Sequence, residues 1–131
     1  MLGLDTNVLI RFLVRDDDAQ FAAALRLIQK REANGECVFL SLLVLLETER
    51  VLRNRYGVSK EEIIKEMIGL LYSGDVDLED EPTVEEALFH WKDSIAEFAD
   101  CLIGARNRRL GCRATATFDA RAARLPNFLA L

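Results

Sequence analysis

The chain has 131 residues, half of them hydrophobic and 30% charged, with a formal net charge of −5. That length suits one domain over residues 1–131 with a real core, and the composition is that of an ordinary folded chain. No apolar run is long enough to span a membrane, and Asp5 arrives with no basic segment before it, so no signal peptide is read and the cytoplasm is expected.

In chain order, Met1-Leu2-Gly3-Leu4 reads as a short buried strand ending at Asp5. Val8, Leu9, Phe12 and Leu13 then follow at helical spacing, with Thr6 as the expected N-cap. Asp16-Asp17-Asp18 opens a second helix, where the helix dipole favours acids. Phe21, Leu25 and Ile28 mark its buried face, and Asn34-Gly35 ends it. Residues 37–40 form a second strand. Ser41 caps a helix to Tyr56, stopped by Gly57. Ser59 and Glu62 make a capping box for a helix reaching about Tyr72. Val76-Asp77-Leu78 is a weaker strand. Thr83 and Glu86 suggest another capping box, for a helix through Trp91. Glu97–Leu110 is a further helix, closed by Gly111. Ala114–Phe118 reads as a last core strand ending at Asp119, and residues 125–131 as an edge strand.

This alternation predicts an α/β fold with a parallel sheet covered on both faces. Sites in such sheets form at the carboxyl ends of strands, where Asp5 and Asp119 fall. Cys37, Cys101 and Cys112 form no C-x-x-C pair and read as small hydrophobic residues, and the single histidine, His90, cannot build a zinc site with them.

Charge is unevenly distributed. Residues 1–100 carry −10 and residues 101–131 carry +5. An anionic substrate is therefore compatible with the negative total.

The acids occupy unusual sequence settings. Glu47 follows Leu42-Leu43-Val44-Leu45-Leu46, Asp100 sits within Phe98-Ala99-Asp100-Cys101-Leu102-Ile103, and Asp5 follows a strand. A desolvated carboxylate needs a partner. Taken singly, Asp5 could cap a helix, Glu47 could pair with Arg50, and Asp100 could face solvent. Together they are explained by one cation, and an oxygen-rich site suits Mg²⁺ or Mn²⁺.

Four blocks carry a resemblance: Leu4-Asp5-Thr6-Asn7-Val8-Leu9, Leu46-Glu47-Thr48-Glu49-Arg50-Val51-Leu52, Phe98-Ala99-Asp100-Cys101-Leu102-Ile103 and Thr117-Phe118-Asp119. In this order and spacing the chain resembles the PIN domain, above all its VapC-type toxin branch from type II toxin–antitoxin systems. The resemblance covers essentially the whole chain. It implies a three-layer α/β/α fold with a mostly parallel sheet of four to five short strands, and a Mg²⁺- or Mn²⁺-dependent ribonuclease. It also implies Asp5, Glu47 and Asp100 as principal metal-site acids, Asp119 as a fourth, and Thr6 and Thr117 as supporting hydroxyls. Glu97, one turn before Asp100, is a candidate outer acid or a helix-start glutamate. Many relatives carry an aromatic residue where this chain has Arg50. The implied partners are RNA, a cognate antitoxin and a second copy of the chain. Leu42, Leu45, Tyr56, Ile64 and Met67 are candidates for apolar contact surface or for core.

Arg106, Arg108, Arg109 and Arg113 are candidate phosphate contacts, each with a solvated surface role as the alternative. With no histidine near any motif, acid/base chemistry by histidine is disfavoured. Two other classes compete: a phosphoryl-transfer protein of receiver or phosphatase type, and a catalytically silent binding module. The first fits poorly, because position 7 is Asn rather than Asp and no lysine follows Lys92.

Overall fold

A computed structural model describes residues 1–131, which divide into two compact units, Met1–Glu79 and Asp80–Leu131. In the first unit, strands β1 (Leu2–Gly3), β2 (Val38–Leu40) and β3 (Val76–Leu78) pair in the order β1-β2-β3. All pairs are parallel, with Leu2 opposite Val38 and Leu40 opposite Leu78. Parallel neighbours need long crossovers. Helices α1 (Thr6–Val14) and α2 (Asp18–Ala33) supply the first, and α3 (Leu42–Asn54) and α4 (Lys60–Leu71) the second.

The central strand explains the core. Val38 and Leu40 are fully buried, and Leu9 and Ile10 of α1, Leu45 and Leu52 of α3, and Ile63 and Met67 of α4 are buried with them. Each such side chain contributes roughly 2 kcal/mol through burial. Leu42, Leu45 and Met67, considered above as contact surface, are therefore core residues. Tyr56 and Ile64 are half-buried. The exposed apolar side chains of this stretch are instead Leu43, Ile68 and Tyr72.

Three caps follow the sequence closely. Asp17 accepts from the Gln20 backbone N–H at 2.9 Å, Ser41 from Val44 at 3.2 Å and Ser59 from Glu62 at 3.2 Å. Two expectations fail. Asp5, not Thr6, caps α1. The capping box assigned to Thr83 and Glu86 does not form, because helix α5 (Glu81–Lys92) starts earlier, with Pro82 in its first turn. Pro at a helix start lacks only an N–H that would be unpaired there.

The second unit pairs α5 with α6 (Phe98–Arg109). Trp91 and Phe98 meet with ring centroids 5.1 Å apart, and Val84 and Ala87 of α5 and Leu102 and Ala105 of α6 are buried. Strands β4 (Thr115–Thr117) and β5 (Phe128–Ala130) form a parallel ladder, joined through a 3₁₀ turn at Ala122–Arg124. Helix α6 packs on Phe128 so closely that a Cβ at Gly104 would lie 2.4 Å from the ring. In β4 Thr115 and Thr117 are half-buried, Ala116 is exposed, and Phe118 just after it is exposed, unlike the core strand expected there.

The fold is thus α/β with parallel strands, as expected. The five strands pair as three and two rather than in one ladder. No helix is long and apolar enough to cross a membrane.

Candidate metal centre

In the first unit, β1 ends at Gly3, Leu4 is buried, and Asp5 turns the chain into α1. Its Oδ1 accepts the Val8 backbone N–H at 3.0 Å. An N-cap satisfies one orphan donor with one oxygen, leaving the other carboxylate oxygen for a ligand. Thr6, immediately after, is buried.

Helix α3 presents Glu47 from a face that water reaches. Its buried stripe is Leu42, Leu45, Thr48, Glu49 and Leu52, so Glu47 is exposed. This corrects the expectation of a desolvated Glu47. The buried acid is Glu49, 1% exposed, which accepts from Arg53 Nε at 2.7 Å one turn later. Glu47 has no ion pair with Arg50. Instead, Glu47 and Asp5 line one cleft of about 440 Å³, together with Thr6, Asn7, Leu43 and Val44. The first unit thus brings two of the four acids and Thr6 to a common opening.

In the second unit, Asp119 repeats the strand-end arrangement. The Thr117 hydroxyl accepts from the Asp119 N–H at 3.0 Å, and Asp119 Oδ1 accepts from the backbone of Arg121 at 2.7 Å and Ala122 at 3.4 Å. Those backbone donors, Arg121 first, hold the Asp119 carboxyl below its ordinary range. Thr117 thus holds the turn that carries Asp119 through the backbone N–H of that residue. Asp100 is half-buried in the first turn of α6, where the dipole favours a carboxylate. Glu97 stands at the N-cap position, exposed, without a capping bond from its side chain. Neither unit by itself gathers three or more metal-ligating side chains.

Three of the four candidate phosphate-binding arginines are already engaged. Arg106 Nη1 and Arg109 Nε each lie 2.8 Å from the Asp80 carboxylate, and Arg108 pairs with Glu86. Arg113 is exposed, with no carboxylate partner. Asp80 sits in the left-handed region at φ 55°, and its side chain is only 9% exposed. Burial pushes its pKa up, but the Thr83 hydroxyl, 2.6 Å away, and the two arginines outweigh that and hold it below the ordinary range.

Sequence reading missed the structural acids Glu49 and Asp80. Signals for both were present: the i, i+4 spacing of Glu49 and Arg53, and Asp80 three residues before Thr83 in a D-x-x-T arrangement at a helix start. It also missed Arg11, whose guanidinium binds Asp16 at 3.0 Å, the Tyr56 hydroxyl at 3.0 Å and Gln20 at 2.6 Å. The Tyr56 bond, with the Asp16 charge, raises the Arg11 pKa.

The donor chemistry of the Asp5–Glu47 cleft fits a hard divalent cation. Its polar lining is carboxylate, hydroxyl and amide, and no lysine, arginine, histidine or cysteine lines it. Such oxygen donors suit Mg²⁺ or Mn²⁺ over softer metals.

The sequence matches the family model described as PIN domain over residues 3–127. A curated relative, the VapC ribonuclease of Aquifex aeolicus (strain VF5), is 24% identical over 118 residues, which is 90% of this chain and 87% of that protein.

Proposed function

The chain belongs to the PIN domain family, and from that premise we propose that it is a Mg²⁺- or Mn²⁺-dependent endoribonuclease, the toxin of a toxin–antitoxin pair. One observation carries the reading: Asp5 and Glu47, from a strand end and a helix face, line one cleft that no cationic side chain lines. The similarity to the Aquifex aeolicus VapC ribonuclease supports RNA as substrate.

In this proposal Asp5, Glu47 and Asp100 hold the metal, with Asp119 as the fourth acid. When bound, a divalent cation polarises a phosphate oxygen and lowers the pKa of water, making a nucleophile available near neutral pH. The chain's own contribution is placement. The Val8 N–H fixes Asp5 through one oxygen, and the Arg121 and Ala122 N–H groups fix Asp119 in the same way. Each acid is oriented before substrate arrives, which limits reorganisation during the reaction. Asp119, oriented by those donors, would position a second metal or the attacking water. Thr6 and Glu97 are supporting groups.

In this proposal the two units act as one PIN domain, a reading supported by a family match that runs across both. Calorimetry should then show one cooperative transition. The chain works in the cytoplasm as a homodimer, held inactive by an antitoxin. The decisive experiment is cleavage of RNA by purified protein in Mg²⁺ or Mn²⁺, compared with EDTA and with Asp5→Asn. Metal-dependent cleavage lost in the variant is expected. Equal cleavage by wild type and variant would overturn the assignment.

A further inference from the structure

Asp5 borders two openings. Besides the cleft shared with Glu47, a second cleft of about 320 Å³ is lined by residues of α1 and α2, and both clefts include Asp5 and Asn7. Its walls are Val8, Ala23, Ala24 and Leu27, with Gln20 and Arg11 adding polar groups. Resting on the ribonuclease reading above, we propose that this second cleft is a subsite for one base of single-stranded RNA, next to the phosphate being cut.

Three observations support a base rather than a phosphate. The first is continuity: Asp5 and Asn7 form a wall common to both clefts, so a nucleotide with its phosphate at Asp5 has its base within reach of the second. The second is size and surface. The volume lies at the small end of ligand pockets, about 300–1,000 Å³, and four apolar side chains offer the contact that an unstacked base needs.

The third is charge. Arg11 is the only cation lining the cleft, and Asp16 neutralises it at 3.0 Å, with the Tyr56 hydroxyl bonded to both. A phosphate would have to displace that carboxylate. Apart from the Asp5 carboxylate, which also repels phosphate, what remains for recognition is neutral amide chemistry. Gln20 Oε1 accepts from Arg11 Nε at 2.6 Å, which leaves the Gln20 NH₂ group as a fixed donor. Asn7, exposed in the first turn of α1, supplies a second amide. Amides of this kind read the acceptor and donor edges of bases.

Two substitutions test the subsite at exposed positions of α2, where folding tolerates change. Gln20→Glu keeps an acceptor for Arg11 but removes the NH₂ donor. Ala23→Leu narrows the cleft without disfavouring the helix. The probe is Mn²⁺-dependent cleavage of short oligoribonucleotides that differ only at the bases flanking the cut. Wild type is expected to prefer one flanking base. Gln20→Glu should reduce that preference about tenfold, as loss of an edge contact does. Ala23→Leu should raise KM for the preferred oligonucleotide about tenfold, with a smaller change in kcat. Unchanged preference and KM in both variants, or no flanking-base preference in an active wild type, would overturn the subsite. Absence of any metal-dependent cleavage by wild type is a different outcome, which removes the ribonuclease reading and the subsite with it.

Discussion

Two carboxylates in the first unit and three guanidinium groups in the second are treated in opposite ways by the fold. Asp5 and Glu47 line an open cleft that no cation lines. Arg106, Arg108 and Arg109 are each paired with a carboxylate of their own unit. A count of charges would have ranked the arginine-rich segment as the clearer sign of nucleic-acid chemistry. The difference teaches that engagement matters more than number. A guanidinium already held by a carboxylate of its own unit has fewer free donors for a new partner, whereas a carboxylate without an ion pair keeps oxygen for a metal.

The largest effect should come from removing an unpaired acid. Asp5→Asn is expected to lower metal-dependent RNA cleavage about 10³-fold, the scale of losing several kcal/mol of transition-state stabilisation. Because Asn is also a good N-cap for the Val8 N–H, the urea midpoint should hardly move. Full cleavage by the folded variant would break the contrast at its strongest point.

The two glutamates of α3 sharpen it further. Glu47→Gln should lower cleavage about 10²-fold while leaving stability within about 0.5 kcal/mol, as for an exposed position. Glu49→Gln should do the reverse. It disrupts a pair in which the acid is buried and Arg53 is 40% exposed, so a loss of about 2 kcal/mol is expected, below that for a fully buried pair. Urea unfolding and cleavage assays on both variants decide this, and a swapped outcome would mean that Glu49 is the functional acid.

Asp80 tests the second unit. Asp80→Asn should cost about 2 kcal/mol, since its carboxylate is nearly buried and binds two arginines. The folded protein holds Asp80 below the ordinary range. Its contribution is therefore fully present above the unfolded pKa of about 3.9, and is lost as pH falls through the lower folded value. A thermal melt series from pH 6 to pH 3 should show a shallower fall for the variant than for wild type. The variant also removes the Arg109–Asp80 ion pair, so its RNA binding should depend more steeply on salt.

The smallest effect belongs to Arg113. Arg113→Ala should weaken RNA binding a few-fold and reduce the salt slope by about 1, with no change in rate at saturating RNA. An unchanged slope would remove the last of the four arginines from the interface.

Much of this protein is local and therefore legible in the sequence. Strand ends at Asp5 and Asp119, the serine caps at Ser41 and Ser59, and the turns at Gly57 and Gly111 depend on contiguous residues and the fixed periods of helix and strand. The strand-end aspartates were readable for the same reason, since a carboxylate just after a strand meets the N–H groups of the following turn. Other features were decided only by packing. Which face of α3 turns inward determines that Glu49 is buried and Glu47 reaches the cleft, although both lie in one apolar stretch. Asp80 selects Arg106 and Arg109 across more than twenty positions because α5 packs on α6. Local propensity acts through neighbours in the chain, but burial and ion pairing act through neighbours in space, and those exist only once the helices have packed.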